Sequence, residues 1–334
     1  MTGVVSEQDI HARLFAAVRR ELGDDLRIGA LARLSGGASQ ETWSFDALDE
    51  QGARTGLILR RETPNAGHAV SKAAEFELLQ AASRANVPVP KALFLLKAAD
   101  GLGAGYVMER VAGETIPRKI LRDAPYRAAL PLLAAQCGEI LARIHSVPPA
   151  SLRELAPAPN ESPAIAAIAR QEKLLDALGE PHPAFELGLR WLREHAPAPR
   201  RVCLVHGDFR NGNLLIDANG VRAVLDWELA HVGDPMEDLG WLCVKSWRFG
   251  VNDKPVGGFG AREELFAAYE QASGVAVDAD AVRFWEAYGN LKWGLVCTLQ
   301  ASYHLNNQRR SVELAALGRR ACEMEWDLLS MIGQ

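Results

Sequence analysis

The chain has 334 residues, 48% of them hydrophobic and 24% charged, with a formal net charge of −5 at pH 7. That length can bury one large core or two lobes, and the composition is that of an ordinary soluble globular protein. The negative balance argues against a general nucleic-acid binder, and no run of about eighteen apolar residues offers a membrane span. The first residues carry acids early, with no basic-then-apolar leader pattern. Five scattered cysteines without a C-x-x-C pair read as buried free thiols in a reducing cytoplasm, not as zinc ligands.

Ser6-Glu7-Gln8-Asp9 reads as a helix-capping signal. Ile10, Leu14, Val18 and Leu22 follow at helical spacing, so a first amphipathic helix is expected. Ile28 to Leu34 reads as a strand, Ser35-Gly36-Gly37-Ala38-Ser39 as a loop, Thr42 to Leu48 and Leu57 to Arg60 as two further strands. Gly36 and Gly37 leave room for backbone N–H groups to close over phosphates; on its own the stretch reads as a hairpin turn. It matches neither G-x-x-x-x-G-K-[ST] nor G-x-G-x-x-G. Ser71 caps a predicted helix to about Arg84 that carries Glu75 and Glu77. After the rigid connector Asn86-Val87-Pro88-Val89-Pro90, Leu93 to Lys97 and Tyr106 to Arg110 form a hairpin.

From there the pattern is mainly helical. A long helix opens at Asp123-Ala124-Pro125, with Leu130, Leu133, Cys137, Ile140, Leu141 and Ile144 on its apolar side and a structural His145 at its end. Val147 to Pro163 is an irregular, proline-rich connection, followed by helices over Ala164 to Leu178 and Ala184 to His195. Beyond Gly233-Asp234-Pro235, helices are expected around Leu239, at Arg262 to Ser273, Ala279 to Tyr303 and Ser311 to Met331, with Trp285, Trp293 and Trp326 in the core.

The chemistry concentrates between Val202 and Leu239. A β-branched strand ends in His206, and the loop His206-Gly207-Asp208-Phe209-Arg210-Asn211-Gly212-Asn213 follows. Leu214 to Ile216 and Val221 to Leu225 then form a hairpin, turned at Asn219-Gly220, that ends at Asp226. Asn213 and Asp226 are oxygen donors at strand ends, a set that suits a hard divalent cation such as Mg2+. Asp208 is a separate carboxylate that can take a hydroxyl proton. These are the parts that phosphoryl transfer requires. The alternatives are a capping aspartate and two turn residues. His206 reads as fixing the loop by hydrogen bonds, and Asp234 and Asp238 as structural, Asp238 at a helix start.

H-G-D-x-x-x-x-N followed by L-D-W-E and G-D-P-x-x-D-L resembles the aminoglycoside phosphotransferase family and, more broadly, protein-kinase-like folds. The L-R-R strand end and H-G-D-F-R-N-G-N look closer to the branch fused to acyl-CoA dehydrogenases than to antibiotic-resistance enzymes. The resemblance implies an α+β fold of two lobes, a small antiparallel sheet in residues 1–111 and a larger helical lobe in 112–334, with ATP, or alternatively GTP, in the cleft. Asp208 would be the catalytic carboxylate, and Arg210 would neutralise transferred charge. Ser35, Gly36 and Gly37 would cover the phosphates. Arg60 would replace the usual third-strand lysine and pair with Glu75, Arg61 being the neighbouring alternative. The Glu109 carbonyl and Val111 amide would bind the adenine edge.

Asp226 is followed almost at once by Gly233-Asp234-Pro235, which leaves no room for a peptide-docking platform. A small hydroxylated acceptor is therefore expected, either a hydroxyacyl compound or another metabolite, with neither nucleic acid nor membrane as partner. Twelve acidic against six basic residues between Arg222 and Ala287 suit a cationic acceptor no better than they suit solvated helix faces. Two other classes stay open: a non-catalytic nucleotide-binding protein on a kinase fold, and a metal-dependent hydrolase using His206 and Asp208. The sequence leaves the oligomeric state undetermined.

Overall fold

The computed structural model describes residues 6–34, 40–62, 70–198 and 201–333. Ser35, Gly36 and Gly37 lie outside the described residues. The fold is α+β and kinase-like, with two lobes.

The first part runs α1 (Glu7–Leu22), β1 (Arg27–Ile28), β2 (Ala32–Arg33), β3 (Gln40–Leu48), β4 (Arg54–Glu62), α2 (Lys72–Arg84), β5 (Ala92–Leu95) and β6 (Gly105–Glu109). Its strands pair antiparallel in the order β1-β3-β4-β6-β5, with β2 also on β3. The strand expected over Ile28 to Leu34 is thus two short pieces, both of which hydrogen-bond to β3.

Strand alternation gives β4 two different faces. Leu57 and Leu59 are fully buried with Ile10, Leu14 and Val18 of α1, Phe45 and Val107. Ile58 points the other way, joining Leu78 of α2, Tyr106 and the core of the larger lobe. Arg60 shares the Ile58 face and Arg61 the Leu59 face. One residue of phase therefore decides which arginine meets α2.

The larger part comprises α3 (Pro117–Arg122), α4 (Leu130–Ser146), α5 (Pro163–Leu178), α6 (Pro183–Glu194), β7 (Cys203–Val205), β8 (Leu214–Asp217), β9 (Gly220–Val224), β10 (His231–Gly233), α7 (Met236–Cys243), α8 (Arg262–Ser273), α9 (Ala279–Leu305), α10 (Val312–Gly318) and α11 (Ala321–Ile332). β7 pairs with β10, and β8 with β9. The long helix begins at Leu130, later than expected: Ala124–Tyr126 is a separate 3-10 turn. Pro131 lacks an N–H and fits the first turn of a new helix, not the interior of an old one.

The last predicted helix is also divided. Gly318 ends α10, and a Cβ there would come within 2.6 Å of Ala301 Cβ. Trp326 is 71% exposed, contrary to the core expected for it, and Cys322 is exposed while the other four cysteines are buried. Both sit on α11, which turns Met324 and Leu328 inward instead. Trp285 is buried as expected, and Trp293 is partly so.

α4 and α8 approach unusually closely at Gly138, where an added Cβ would lie 2.4 Å from the Leu265 carbonyl oxygen and 2.8 Å from the Tyr269 nitrogen. These neighbours are backbone atoms, which cannot swing aside. Gly138→Val should therefore lower the unfolding free energy by about 1–3 kcal/mol by overpacking. An unchanged midpoint in urea denaturation would show that the helices can separate without loss.

Candidate active site

The loop from His206 to Asn213 is held from beneath by one carboxylate. Asp238, in the first turn of α7 and fully buried, accepts the backbone N–H of His206 at 2.8 Å and of Gly207 at 2.9 Å. Its Oδ2 also lies 3.2 Å from His145 Nε2, whose Nδ1 faces the Tyr269 hydroxyl at 3.0 Å. Burial pushes the Asp238 carboxyl pKa up. The hydrogen bonds it makes, first with the His145 ring and then with the His206 backbone, outweigh that and hold it below the ordinary 3.8.

Gly207 has φ +76°, and a Cβ would sit 2.3 Å from the Leu229 carbonyl oxygen, so only glycine fits this turn. Burial lowers the His206 pKa, which keeps the ring neutral. Nδ1 then accepts the Asp208 N–H at 3.2 Å and Nε2 donates to the Leu225 carbonyl at 3.1 Å. Both ring nitrogens are thus spent on protein, tying the loop to the end of the β8–β9 hairpin.

Asp208 and Asn213 meet directly. Asn213 Nδ2 donates to Asp208 Oδ2 at 2.6 Å and to its backbone oxygen at 2.9 Å. Arg210 Nε donates to Asp208 Oδ1 at 3.1 Å, and its guanidinium stacks 4.6 Å over the Trp247 ring. Asn211 is fully buried and donates to the Gly257 carbonyl at 2.8 Å, anchoring the loop on its far side.

Beside the loop, where the Leu225 N–H donates to the Asn213 backbone carbonyl at 2.8 Å, Asp226 follows β9 with φ +66° and ψ 65°, a left-handed conformation that aspartate tolerates better than most residues. Arg60 Nη2 donates to Asp226 Oδ1 at 3.1 Å, and Arg60 Nε lies 3.5 Å from Glu75 Oε2. Arg61 instead binds Glu41 at 2.8 Å and the Leu102 carbonyl at 3.1 Å. Burial works against the Arg60 charge, but Tyr106, Glu75 and Asp226 together raise its pKa above the ordinary value.

Glu75 is shared. Tyr106 donates to its Oε2 at 2.9 Å, and the buried Lys72 ammonium pairs with Oε1. Burial lowers the Lys72 pKa against the pull of Glu75. Glu109 closes β6 opposite Leu57, and Val111 follows it toward the bridge between Glu114 and Ile216. That bridge carries hydrogen bonds of 2.8 and 3.0 Å and ties the segment leaving the sheet to the hairpin that presents Asp226.

The site therefore gathers Asp208, Arg210 and Asn213 on one loop and Arg60, Glu75 and Asp226 around one arginine. Lys72, Trp241 and Lys292 escape a reading by sequence pattern. Trp241 Nε1 donates to Asp208 Oδ1 at 2.8 Å, and Lys292 lies over the Trp241 ring. A lysine in the first turn of a helix, against the dipole, marks Lys72; a lone lysine within the mostly apolar α9 marks Lys292.

The donors fit Mg2+. Asn213 commits its Nδ2 to Asp208 and its backbone carbonyl to the Leu225 N–H, which leaves its side-chain oxygen for a cation, and Asp226 keeps about a third of its side chain exposed. Two oxygen donors suffice for an ion that takes its remaining ligands from phosphates and water.

The family model for the phosphotransferase enzyme family, APH, matches residues 30–275. Among curated proteins, mouse acyl-CoA dehydrogenase family member 10 is 31% identical over 231 residues, 64% of this chain and 20% of that protein. Mouse family member 11 is 30% identical over 203 residues, 56% of this chain and 25% of that protein. The chain thus spans a quarter or less of the length of these two relatives. Among solved structures, an aminoglycoside-phosphotransferase-like protein of Ralstonia eutropha superposes with TM-score 0.74 at 22% identity, covering 96% of this chain and 98% of that one. A choline/ethanolamine kinase family protein of Mesorhizobium loti gives 0.63 at 23%, covering 96% of each chain. At these identities the structural likeness speaks for the fold.

Asp238 is depressed in the folded state, so it contributes stability above its unfolded value and loses it as pH falls through the folded one. Asp238→Asn should cost about 3 kcal/mol at pH 7, as expected for breaking a buried charged network. The gap from wild type should narrow as pH drops below 3.8. Urea unfolding from pH 7 to pH 3 measures this; a gap independent of pH would mean that the carboxylate charge is not what holds the loop.

Proposed function

The chain belongs to the phosphotransferase enzyme family, and from that premise we propose that it transfers the γ-phosphoryl group of ATP, with Mg2+, to a hydroxyl of a small acyl compound. The reading rests on one juxtaposition. Asp208 and Asn213 share a 2.6 Å hydrogen bond on the loop, and Arg60 of the small sheet reaches Asp226 beside them at 3.1 Å.

Asp208 orients the acceptor hydroxyl and receives its proton late, as the loose transition state of phosphoryl transfer allows. Arg210, fixed by Asp208 and by Trp247, faces the charge that moves to the acceptor. Arg60 grips phosphate oxygens in place of a lysine and is kept in line by Glu75. The glycine-rich stretch Ser35, Gly36, Gly37 covers the phosphates, while Glu109 and Val111 offer backbone groups to the base. Asn213 and Asp226 would hold Mg2+, and the ion would supply neutralisation of phosphate charge.

A hydrolase reading fits poorly, because His206 is neutral and both its nitrogens already bond to the protein.

The acyl acceptor is favoured by charge as well as by the names of the relatives. A groove of about 1000 Å3 lies beside the loop, lined by Arg118, Arg122, Lys245 and Arg320 together with Phe249 and Trp326. Lys245 pairs with Asp327 and Arg320 with Glu323, while Arg118 and Arg122 have no carboxylate partner among the described residues. Its neighbours reach the site: Trp247 stacks on Arg210, and Pro117 lies 3.5 Å from where a Cβ on Gly212 would stand. Of the twelve acids between Arg222 and Ala287, four (Asp234, Glu237, Asp238 and Glu286) are buried and none lines this groove.

Asp208→Asn should lower turnover by about 10²–10⁴-fold, the range for loss of a positioned acid–base group, and leave the Kd for Mg·ATP unchanged. Retained wild-type turnover would remove Asp208 from the chemistry. Asp226→Asn should abolish the Mg2+ dependence of nucleotide binding in calorimetry; an unaltered Mg2+ dependence would exclude it as a ligand. In a screen of ATP consumption, hydroxy acids and hydroxyacyl thioesters should be phosphorylated in preference to choline and aminoglycosides. The reverse order would overturn the acyl assignment and leave the kinase one standing.

A further inference from the structure

The carboxylate at the centre of the loop is not symmetric. Asp208 Oδ1 accepts from Arg210 Nε at 3.1 Å and from Trp241 Nε1 at 2.8 Å. Oδ2 accepts only from Asn213 among the described residues, at 2.6 Å. A carboxylate oxygen offers about two lone-pair sites. Oδ1 is therefore filled, and Oδ2 keeps one position open.

The donor that fills Oδ1 is itself held. Trp241, in α7, is 5% exposed. The Lys292 ammonium, from α9, lies 4.5 Å from the centroid of its ring and donates to the Gly207 carbonyl at 3.1 Å. Glu237 Oε1 stands 4.0 Å from the same ammonium. Trp241 also packs against Trp247 at 5.1 Å, the ring on which Arg210 rests. A cation over an indole face is attracted to the π cloud and withdraws electron density from it, which strengthens the N–H as a donor. Both donors to Oδ1 are thus backed by neighbours that fix their direction.

We infer that Trp241, backed by Lys292, is a positioning residue that selects Oδ2 of Asp208 as the oxygen that receives the acceptor's proton. This rests on the kinase reading. In the step it serves, the acceptor oxygen forms a bond to the γ-phosphorus while the bond from that phosphorus to the β–γ bridging oxygen breaks. The bridging electron pair leaves with ADP, and the hydroxyl proton passes to Asp208 Oδ2. Without the indole donor the carboxylate can rotate about its Cβ–Cγ bond and offer either oxygen, and the productive geometry becomes one of several.

Two measurements test this on the full chain. In protein labelled with 15N-tryptophan, the indole N–H signal lost in Trp241→Phe should stand downfield in the wild type. It should move upfield in both Asp208→Asn and Lys292→Met. A signal indifferent to Asp208→Asn would overturn the inference at its hydrogen bond. The second readout is ADP release from Mg·ATP with water as the acceptor. Trp241→Phe keeps the ring and removes the donor, and should lower kcat about tenfold or more with KM for ATP and the melting temperature nearly unchanged, since small misplacements of reacting groups are costly. Lys292→Met should act in the same direction and more weakly. In the Asp208→Asn background Trp241→Phe should cause no further loss.

An unchanged kcat in Trp241→Phe, or a loss that persists in full in the Asp208→Asn background, would overturn the positioning role. If Asp208→Asn itself leaves ADP release unaltered, Asp208 is outside the chemistry and the role in proton transfer falls; if the wild type turns over no ATP with any acceptor, it is the kinase reading that falls. The indole signal then still reports whether the hydrogen bond exists.

Discussion

The site depends on one buried carboxylate. Asp238 stands at the start of α7 and accepts two successive backbone N–H groups from the loop that carries Asp208. A loop has no ladder of its own to satisfy such groups, and leaving two of them buried and unpaired would cost more than the bonds contribute when made. The carboxylate needs a counterpart too, and His145 supplies it from the end of α4. Two helices, α7 and α4, are thereby tied to two consecutive peptide groups. Gly207 can adopt the required turn because it lacks a Cβ, and His206 spends its ring on closing the same loop against Leu225. The loop is thus a rigid platform, the arrangement a catalytic group requires if it is to act without reorganisation.

The side of the site built by β4 and α2 follows a different logic, in which positive charge is stored. Arg60 stands between Glu75 and Asp226, while Lys72 and Tyr106 occupy the remaining faces of Glu75. A single carboxylate would hold either cation well. Sharing it leaves the pair with more positive charge than Glu75 alone neutralises, and Asp226 takes up part of the surplus. A bound triphosphate is the natural recipient of such charge. On this proposal the Arg60–Asp226 contact keeps both groups directed into the cleft, so that the guanidinium and the metal-binding carboxylate need only exchange partners.

The parts of this arrangement that could be read from sequence are those written in local pattern. The spacing from Asp208 to Asn213, the Asn219-Gly220 turn that delivers Asp226, and the β4 alternation separating Arg60 from Arg61 are all short-range features. Trp241 could not be found this way, because a tryptophan in an apolar helix reads as core and only the fold brings its N–H to Asp208. Lys292 reaches Gly207 from 85 positions away, and nothing in periodicity reports such a contact. The start of α4 and the division between α10 and α11 were hidden for another reason. Proline and glycine there fit either a kinked long helix or two short ones, and the choice is made by packing. Trp326 misled in the opposite direction, since helical spacing does not say which of two adjacent stripes faces the core.

The placement of charge separates what the fold needs from what a ligand would meet. The acids near the loop are mostly internal. Asp238 serves the backbone, Glu237 meets His231 at 3.0 Å, and Glu286 binds Arg248 and Arg262 at 2.9 and 2.6 Å. A carboxylate engaged in this way contributes little field to the neighbouring solvent, because its partner's charge lies within a few ångströms. The groove beside the loop is the reverse case: Arg118 and Arg122 are exposed and carry charge that no acid of the described residues offsets. The net charge of the whole chain is negative and so gives the wrong sign for this surface beside the proposed chemistry. What an acceptor meets is set by the charges left unpaired after folding, and it is on that count that the proposed acceptor is an anion.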